Sequence, residues 1–404
     1  MNLNEKYYES IIDHHGSKLL LENFVNEKLP NYKSKRNFDF GTYEENCVSG
    51  LSPAIGRRIL NEKDIVKRVS NQFSYGQVEK FIDEICWRTY WKGWLEHRPQ
   101  VWYDYLDDLK QLYPFKSDNV DYKNAISGNT GLECFDTWVN QLLKFGYLHN
   151  HTRMWFASLW IFHLKLPWQL GAEFFYQNLI DADSASNTLS WRWVAGLQTK
   201  GKKYIATMDN INRFTNNRFS FPNKLMLSND DVAGYKYYEP TYVVTKSNPS
   251  KSKNKGYLII EEDLSLVNVD KNCPIIIQSQ SYNKFGQSEQ VESFSNKTLK
   301  NAIEYCKNEI SHNVSTFTWE NAELIEKWVK THSLDEIEII APTVGKYEKI
   351  IPKLSDRFNL NISYYYHDWD TSFWKYSDKG FFKMKKQIKK IISQFWETPL
   401  FKNF

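Results

Sequence analysis

Residues 142–195 read LLKFGYLHNHTRMWFASLWIFHLKLPWQLGAEFFYQNLIDADSASNTLSWRWVA. The stretch is aromatic and largely apolar, yet Asn150, Arg153, Asp181, Asp183 and Asn187 interrupt it. Asn150 and Met154 stand four residues apart and share one face of a helix, with Arg153 on the same side. Asp183 and Asn187 repeat that spacing. Charge inside an apolar segment needs a partner or a ligand. Two helices meeting around a large planar group with polar edges account for the pattern, as does a buried ion-pair network in a helical core.

The chain has 404 residues, room for two domains on ordinary domain sizes. Its formal charge of +4 does not argue for nucleic acid, so any DNA contact must come from a local basic rim. Five scattered cysteines lack metal-ligand spacing, which points away from a disulfide framework and from a thiolate cluster; no metal is expected. The start MNLNEKYYES lacks a signal pattern, and no apolar run is long enough to span a bilayer. A cytoplasmic monomer without membrane contact is expected. Aromatics make up 16% of the residues, which suits stacking or electron-transfer work as well as core filling.

Working outward, residues 18–29 read as helical, and Tyr32 and Arg36 share a helix face. In SGLSPAIGRRIL (49–60), Ser52 reads as a helix cap and Pro53 as the first helical residue. Along residues 75–98, Phe81, Glu84, Ile85, Arg88 and Trp91 recur at helical spacing, and Trp87, Tyr90, Trp91 and Trp94 form a dense aromatic cluster. Residues 100–128 read as looser chain, GNTG (128–131) as a turn and 132–144 as a helix. Lys200, Lys202 and Lys203 form a basic segment. The composition shifts near 222–256. Beyond it, strand-like runs (YLIIE 257–261, PIIIQ 274–278, EIEII 336–340, ISYYY 362–366) come with helical stretches at 297–310, 320–331 and 345–357. That alternation predicts a small parallel sheet. Residues 380–396 read as one basic amphipathic helix resting on the helical part.

Taken together, YKSKRNF (32–38), SGLSP (49–53), EICWR (84–88), GYLHNHTRM (146–154) and LIDADSASNTLSWRW (179–193) resemble, in order, the flavin-binding domain of the DNA photolyase/cryptochrome family. The family's usual amino-terminal antenna domain is expected to be missing, because the strand-rich block resembles that domain moved to the carboxy-terminal end. The expected fold class is therefore α+α/β. A helical FAD-binding domain (1–225) is followed by a linker (226–254), a small parallel-sheet α/β antenna-like domain read as permuted (255–370), and the basic tail helix (371–404).

The resemblance implies FAD as cofactor. Tyr32, Ser49, Leu51 and Ser52 would surround its pyrophosphate side. Arg153 and Asp181 would flank the isoalloxazine, with Asp183 near the ribityl side and Asn187 facing N5. Phe81, Arg88 and Asn150 complete the cofactor set. Departures from the family are Phe81 where Trp is common, Val48 for Thr, Gly50 for Arg and Tyr147 for Trp. Arg36, Glu84, Trp87, Asn150, Met154 and Trp193 match the family's cyclobutane-dimer pocket. The paired histidines of the branch that repairs (6-4) photoproducts are absent at Asn150 and Met154. Trp191 and Trp168 match the first two tryptophans of the family's electron-transfer chain, whereas Tyr113 and Phe115 stand where the third is sought. No residue set for a second, antenna chromophore is identified. The implied activity is light-driven, FAD-dependent repair of pyrimidine dimers in damaged DNA; the alternative is a flavin photoreceptor without repair. The expected basic rim comprises Arg36, Lys92, Arg98, Lys200, Lys202, Lys203 and Arg213.

Overall fold

The computed structural model describes residues 3–41, 45–221, 227–243, 252–396 and 401. Helices come first: α1 (Leu3–Ile11), α2 (His14–Asn23), α3 (Leu29–Lys35), α4 (Ser52–Gly56), α5 (Glu62–Ser70), α6 (Tyr75–Glu96), α7 (Gln100–Asp118), α8 (Val120–Ser127), α9 (Glu133–Phe145), α10 (Asn150–Phe162), α11 (Trp168–Asn178), α12 (Ser184–Val194) and α13 (Met208–Phe214). The helix expected over 18–29 begins earlier, at His14, and runs through a π-helical turn, Phe24–Lys28, into α3.

Residues 100–128 are not loose; they form α7 and α8. Val101, Trp102, Tyr105 and Leu109 lie at three- and four-residue spacing and are all buried, so packing overrides the polar composition and Pro114. Ser52 is also not a cap. Leu51 occupies that position, Ser52 and Pro53 open α4, and the Ser52 hydroxyl is drawn to Asp181 instead.

A parallel sheet follows, in the order β3-β2-β1-β4-β5. Its strands are β1 (Lys255–Ile259), β2 (Ile275–Gln278), β3 (Val314–Phe317), β4 (Glu336–Ile340) and β5 (Ile362–Tyr365). β1 pairs on one side with β2 (Tyr257 opposite Ile275) and on the other with β4 (Tyr257 opposite Glu338). The inner strands β1 and β2 are apolar runs buried on both faces, as parallel strands are. β3 went unseen in the sequence because it is an edge strand, VSTF, with only Phe317 buried. Helices α14 (Glu289–Tyr305), α15 (Glu323–Thr331) and α16 (Ile350–Phe358) connect the strands.

The chain then returns to the helices. The single tail helix expected over 380–396 is instead two short ones, α18 (Phe381–Lys385) and α19 (Ile388–Ser393), preceded by α17 (Asp368–Trp374). No Pro or Gly marks the break; docking sets it. Phe381, Met384, Ile388, Ile391 and Ile392 all enter a core that also holds Phe24, Val66, Ile82, Tyr257 and Ile275. Gly93 on α6 makes room for this, since a Cβ there would lie 2.4 Å from the Trp374 ring. Trp369 Nε1 donates to Thr89 Oγ1 (2.9 Å), and Arg58 grips Asp370 through a buried pair at 2.6 Å. The described part of the expected linker, 227–243, is strapped down: Ser228 N donates to Phe162 O and Thr241 N to His97 O. Residues 244–251 lie outside the described set. No described helix is long and apolar enough to cross a membrane.

Candidate active site

Four elements bring the candidate residues together. α6 carries Glu84 and Arg88 one turn apart; α10 carries Asn150, Arg153 and Met154; the turn between α11 and α12 carries Asp181; and α12 carries Asp183 as its cap and Asn187 one turn in. Arg153 pairs with Asp181 Oδ2 at 2.9 Å and donates from Nε to Leu148 O. The same Asp181 oxygen accepts from Ser52 Oγ at 2.5 Å. Asp183 accepts from Ser186 N, capping α12, and lies 3.8 Å from Arg88 Nε. Asn187 Nδ2 donates to Ala172 O, which fixes its amide plane.

These groups are crowded by protein yet not sealed. The Arg153 side chain keeps 24% of its surface and Glu84 31%. Burial nevertheless pushes Tyr147 up to about 12 and raises Glu84, although Arg36 opposes the latter shift. Burial disfavours charge on Arg153, but Asp181 more than offsets it, and the guanidinium stays cationic. Burial with residual access makes these groups a partly open polar cluster rather than a sealed core.

The donor set fits the edge of a flavin. Asp181 Oδ1 is buried and has no hydrogen-bond partner among the described residues, so it can accept an N–H, and the Arg153 cation beside it suits a carbonyl. Leu51 is fully buried, and its amide donates to Ser49 Oγ. Tyr32 and Phe81 sit mainly in the core, edge to face at 5.4 Å with Phe24 beside them, which leaves Phe81 only 3% exposed. Phe81 is thus chiefly a packing residue.

At the mouth, Arg36 and Glu84 form an ion pair at 2.5 Å. Arg36 is therefore committed to a carboxylate rather than standing alone for a phosphate. Asn150 is exposed at the first position of α10 with Met154 one turn on, whereas His149 and His151 turn inward. His149, held to about 4 chiefly by burial, is neutral. Trp193 stacks on Tyr204 at 5.6 Å, and Trp87 lies face to face with Phe381 at 3.6 Å.

Trp191 meets Phe175 and Trp160 edge to face at 5.1 and 6.1 Å, and Trp168 stacks on Tyr105 at 5.7 Å. Gly171 lets Trp191 approach, because a Cβ there would lie 2.3 Å from the indole.

The basic rim shrinks. Lys92 and Arg98 are buried; Lys92 faces Glu262, and Arg98 donates to Tyr238 O and Asp378 O. Lys203 is tied to Asp231 and Asn229, while Lys200, Lys202 and Arg213 remain exposed. The loop and tail that cover these cations are distant in sequence, so helix periodicity gave no hint of them.

Sequence reasoning also missed Tyr7, whose hydroxyl donates to Gly50 O and whose ring meets Tyr147, and the buried Asp39. Asp39 accepts from Thr152 Oγ1 at 2.5 Å and from Gly41 N, and so anchors the start of α10. No local pattern announces either residue.

Residues 81–219 match the family model for the FAD binding domain of DNA photolyase. The deoxyribodipyrimidine photo-lyase of Agrobacterium fabrum is 30% identical over 179 residues, 44% of this chain and 36% of that protein. That of Thermus thermophilus is 28% identical over 191 residues, 47% of this chain and 44% of that protein. The chain thus matches less than half the length of these relatives. A bacterial class III photolyase from Agrobacterium tumefaciens superposes with a TM-score of 0.41 at 27% identity, covering 50% of this chain and 44% of that one. The helical region carrying these residues is thus similar, over residues 81–219, to the FAD binding domain of DNA photolyase.

Proposed function

We propose that this protein binds FAD at this polar cluster and repairs cyclobutane pyrimidine dimers in DNA under blue light. The observation that carries this reading is the placement of Glu84, Trp87, Asn150 and Met154 on the same two helices, α6 and α10, that carry Arg88 and Arg153. Reduced FAD, when bound, supplies an electron under light. Asp181 and Arg153 would hold the isoalloxazine edge, Asp183 and Arg88 the neighbouring polar side, and Asn187 would present an amide already oriented by Ala172 O.

The lesion must leave the base stack to reach this depth. Trp87 and Trp193 are the aromatic faces available to it. Glu84, paired with Arg36 at 2.5 Å and so held in one rotamer, would accept from a pyrimidine N–H. Trp191 and Trp168 would return electrons to oxidised cofactor. The sheet, in the order β3-β2-β1-β4-β5, supports reading residues 255–370 as an antenna-like domain in permuted position. Its crevice beyond β1 and β4 holds a cavity of only about 20 Å³, lined by Arg58, Glu262, Asp263 and His367, which favours a docking role over chromophore binding.

The test is blue-light turnover of a dimer-containing oligonucleotide by reduced, FAD-replete protein. Conversion to intact pyrimidines is expected. Flavin binding without turnover would favour a photoreceptor, and failure to retain flavin would remove both readings.

A further inference from the structure

The tail contributes to the site as well as to the core. Glu79, Asp83 and Tyr90 lie along one side of α6, and each meets α18: Lys385 pairs with Asp83 and Glu79 at 2.5 and 3.1 Å, and Phe381 meets Tyr90 edge to face at 5.6 Å. Glu84 and Arg88, which meet Arg36 and Asp183, lie along a different side. Helical spacing puts Trp87 on the boundary, four residues from Asp83 and three from Glu84.

There the indole lies flat against Phe381, with ring centroids 3.6 Å apart and planes 13° from parallel, while Trp91 tilts against it at 5.3 Å. Phe381 is 4% exposed and Trp87 is half-buried. An indole has two faces, and a parallel ring at this distance occupies one completely. The tail therefore decides which face Trp87 has left to offer.

We infer that Phe381 is a positioning residue for the lesion platform. It clamps one face of Trp87, which stands one turn from Glu84 on α6, so that an unstacked pyrimidine would have only the other face to rest on. This inference rests on the repair reading. The carboxy-terminal segment is then part of the substrate site although it supplies no group that touches substrate.

The experiment measures, in the dark, binding of the full chain to matched duplexes with and without a single cyclobutane dimer. A preference of the unaltered protein for damaged DNA is expected; its absence would overturn the repair reading and this inference with it. Given that preference, Phe381→Ala should weaken damaged-duplex binding about two- to tenfold and leave the intact duplex unchanged. Phe381→Tyr, which keeps the ring, should restore the preference. Phe381→Leu, which keeps most of the buried volume without the flat face, should stay folded with a modest loss of melting temperature yet still lose discrimination. An undiminished damaged-to-intact ratio in Phe381→Leu would overturn the proposal while leaving the repair reading standing. A higher ratio would also overturn it, showing that Phe381 occupies the place a base needs.

Discussion

Glu96 closes α6 where the loop after β4 packs against it. Its Oε1 accepts from Val344 N at 2.7 Å. Burial, supported by nearby Glu262 and Glu348 and opposed by Lys92 and the Val344 N–H, pushes its carboxyl from the ordinary 4.5 up to about 8. The unfolded chain ionises near the ordinary value and the folded chain does not. Between these two values the unfolded state gains from ionisation, so stability is fully present below about 4.5 and falls as pH rises toward 8. The full displacement corresponds to about 5 kcal/mol. Glu96 keeps some accessible surface, so water screens part of this cost, and about 2–3 kcal/mol is the working expectation.

The perturbation is Glu96→Gln. The amide oxygen still accepts from Val344 N, the side chain keeps its shape, and nothing is left to ionise. Urea unfolding of both proteins across pH 5, 7 and 8.5 isolates the contribution of Glu96, since every other titrating group is shared. The substitution should be near neutral at pH 5 and stabilising at pH 8.5 by the amount above. A constant difference across the three pH values, or a variant less stable at pH 8.5, would refute the reasoning and place Glu96 among ordinary ionised carboxylates.

Three further outcomes are expected. Arg58→Ala should cost about 3–5 kcal/mol in urea unfolding at pH 7, because it strands Asp370 as a buried carboxylate and leaves Glu62 to Arg88 alone. Arg58 helps to hold Asp370 and Asp263 below the ordinary carboxylate value. Their stabilisation is present above about 4 and lost as pH falls through the lowered values, so the gap between the variant and the unaltered protein should narrow as the pH is lowered. Trp191→Phe should slow photoreduction of bound flavin at least tenfold while leaving flavin content unchanged, read by absorbance under blue light; unchanged kinetics would exclude Trp191 as the entry point. Lys202→Ala should lower the salt slope of DNA binding by about one, as for one lost phosphate contact. Lys203→Ala should leave the slope unchanged, because that lysine is held by Asp231.

What the sequence by itself determined is what local pattern encodes. Helical spacing in residues 75–98 and 142–195 defined the faces that carry Glu84, Arg88, Arg153 and Asn187, and their order supported the family assignment. The apolar runs at 257–261 and 274–278 read as buried parallel strands, because such strands are covered on both faces. The tertiary structure decided what depends on a distant partner. α7 and α8 form because Trp102, Tyr105 and Leu109 of the first and Tyr122 and Ala125 of the second are buried, although their polar neighbours argued for loose chain. The Ser52 hydroxyl serves Asp181 rather than its own helix, and Lys92 and Arg98 leave the basic rim because the sheet and tail cover them. Trp87 has one face taken by Phe381, a residue on the far side of the sheet in sequence. A side chain's chemistry is written at its own position, but its exposure, charge state and free face are set by whichever segment folds back over it.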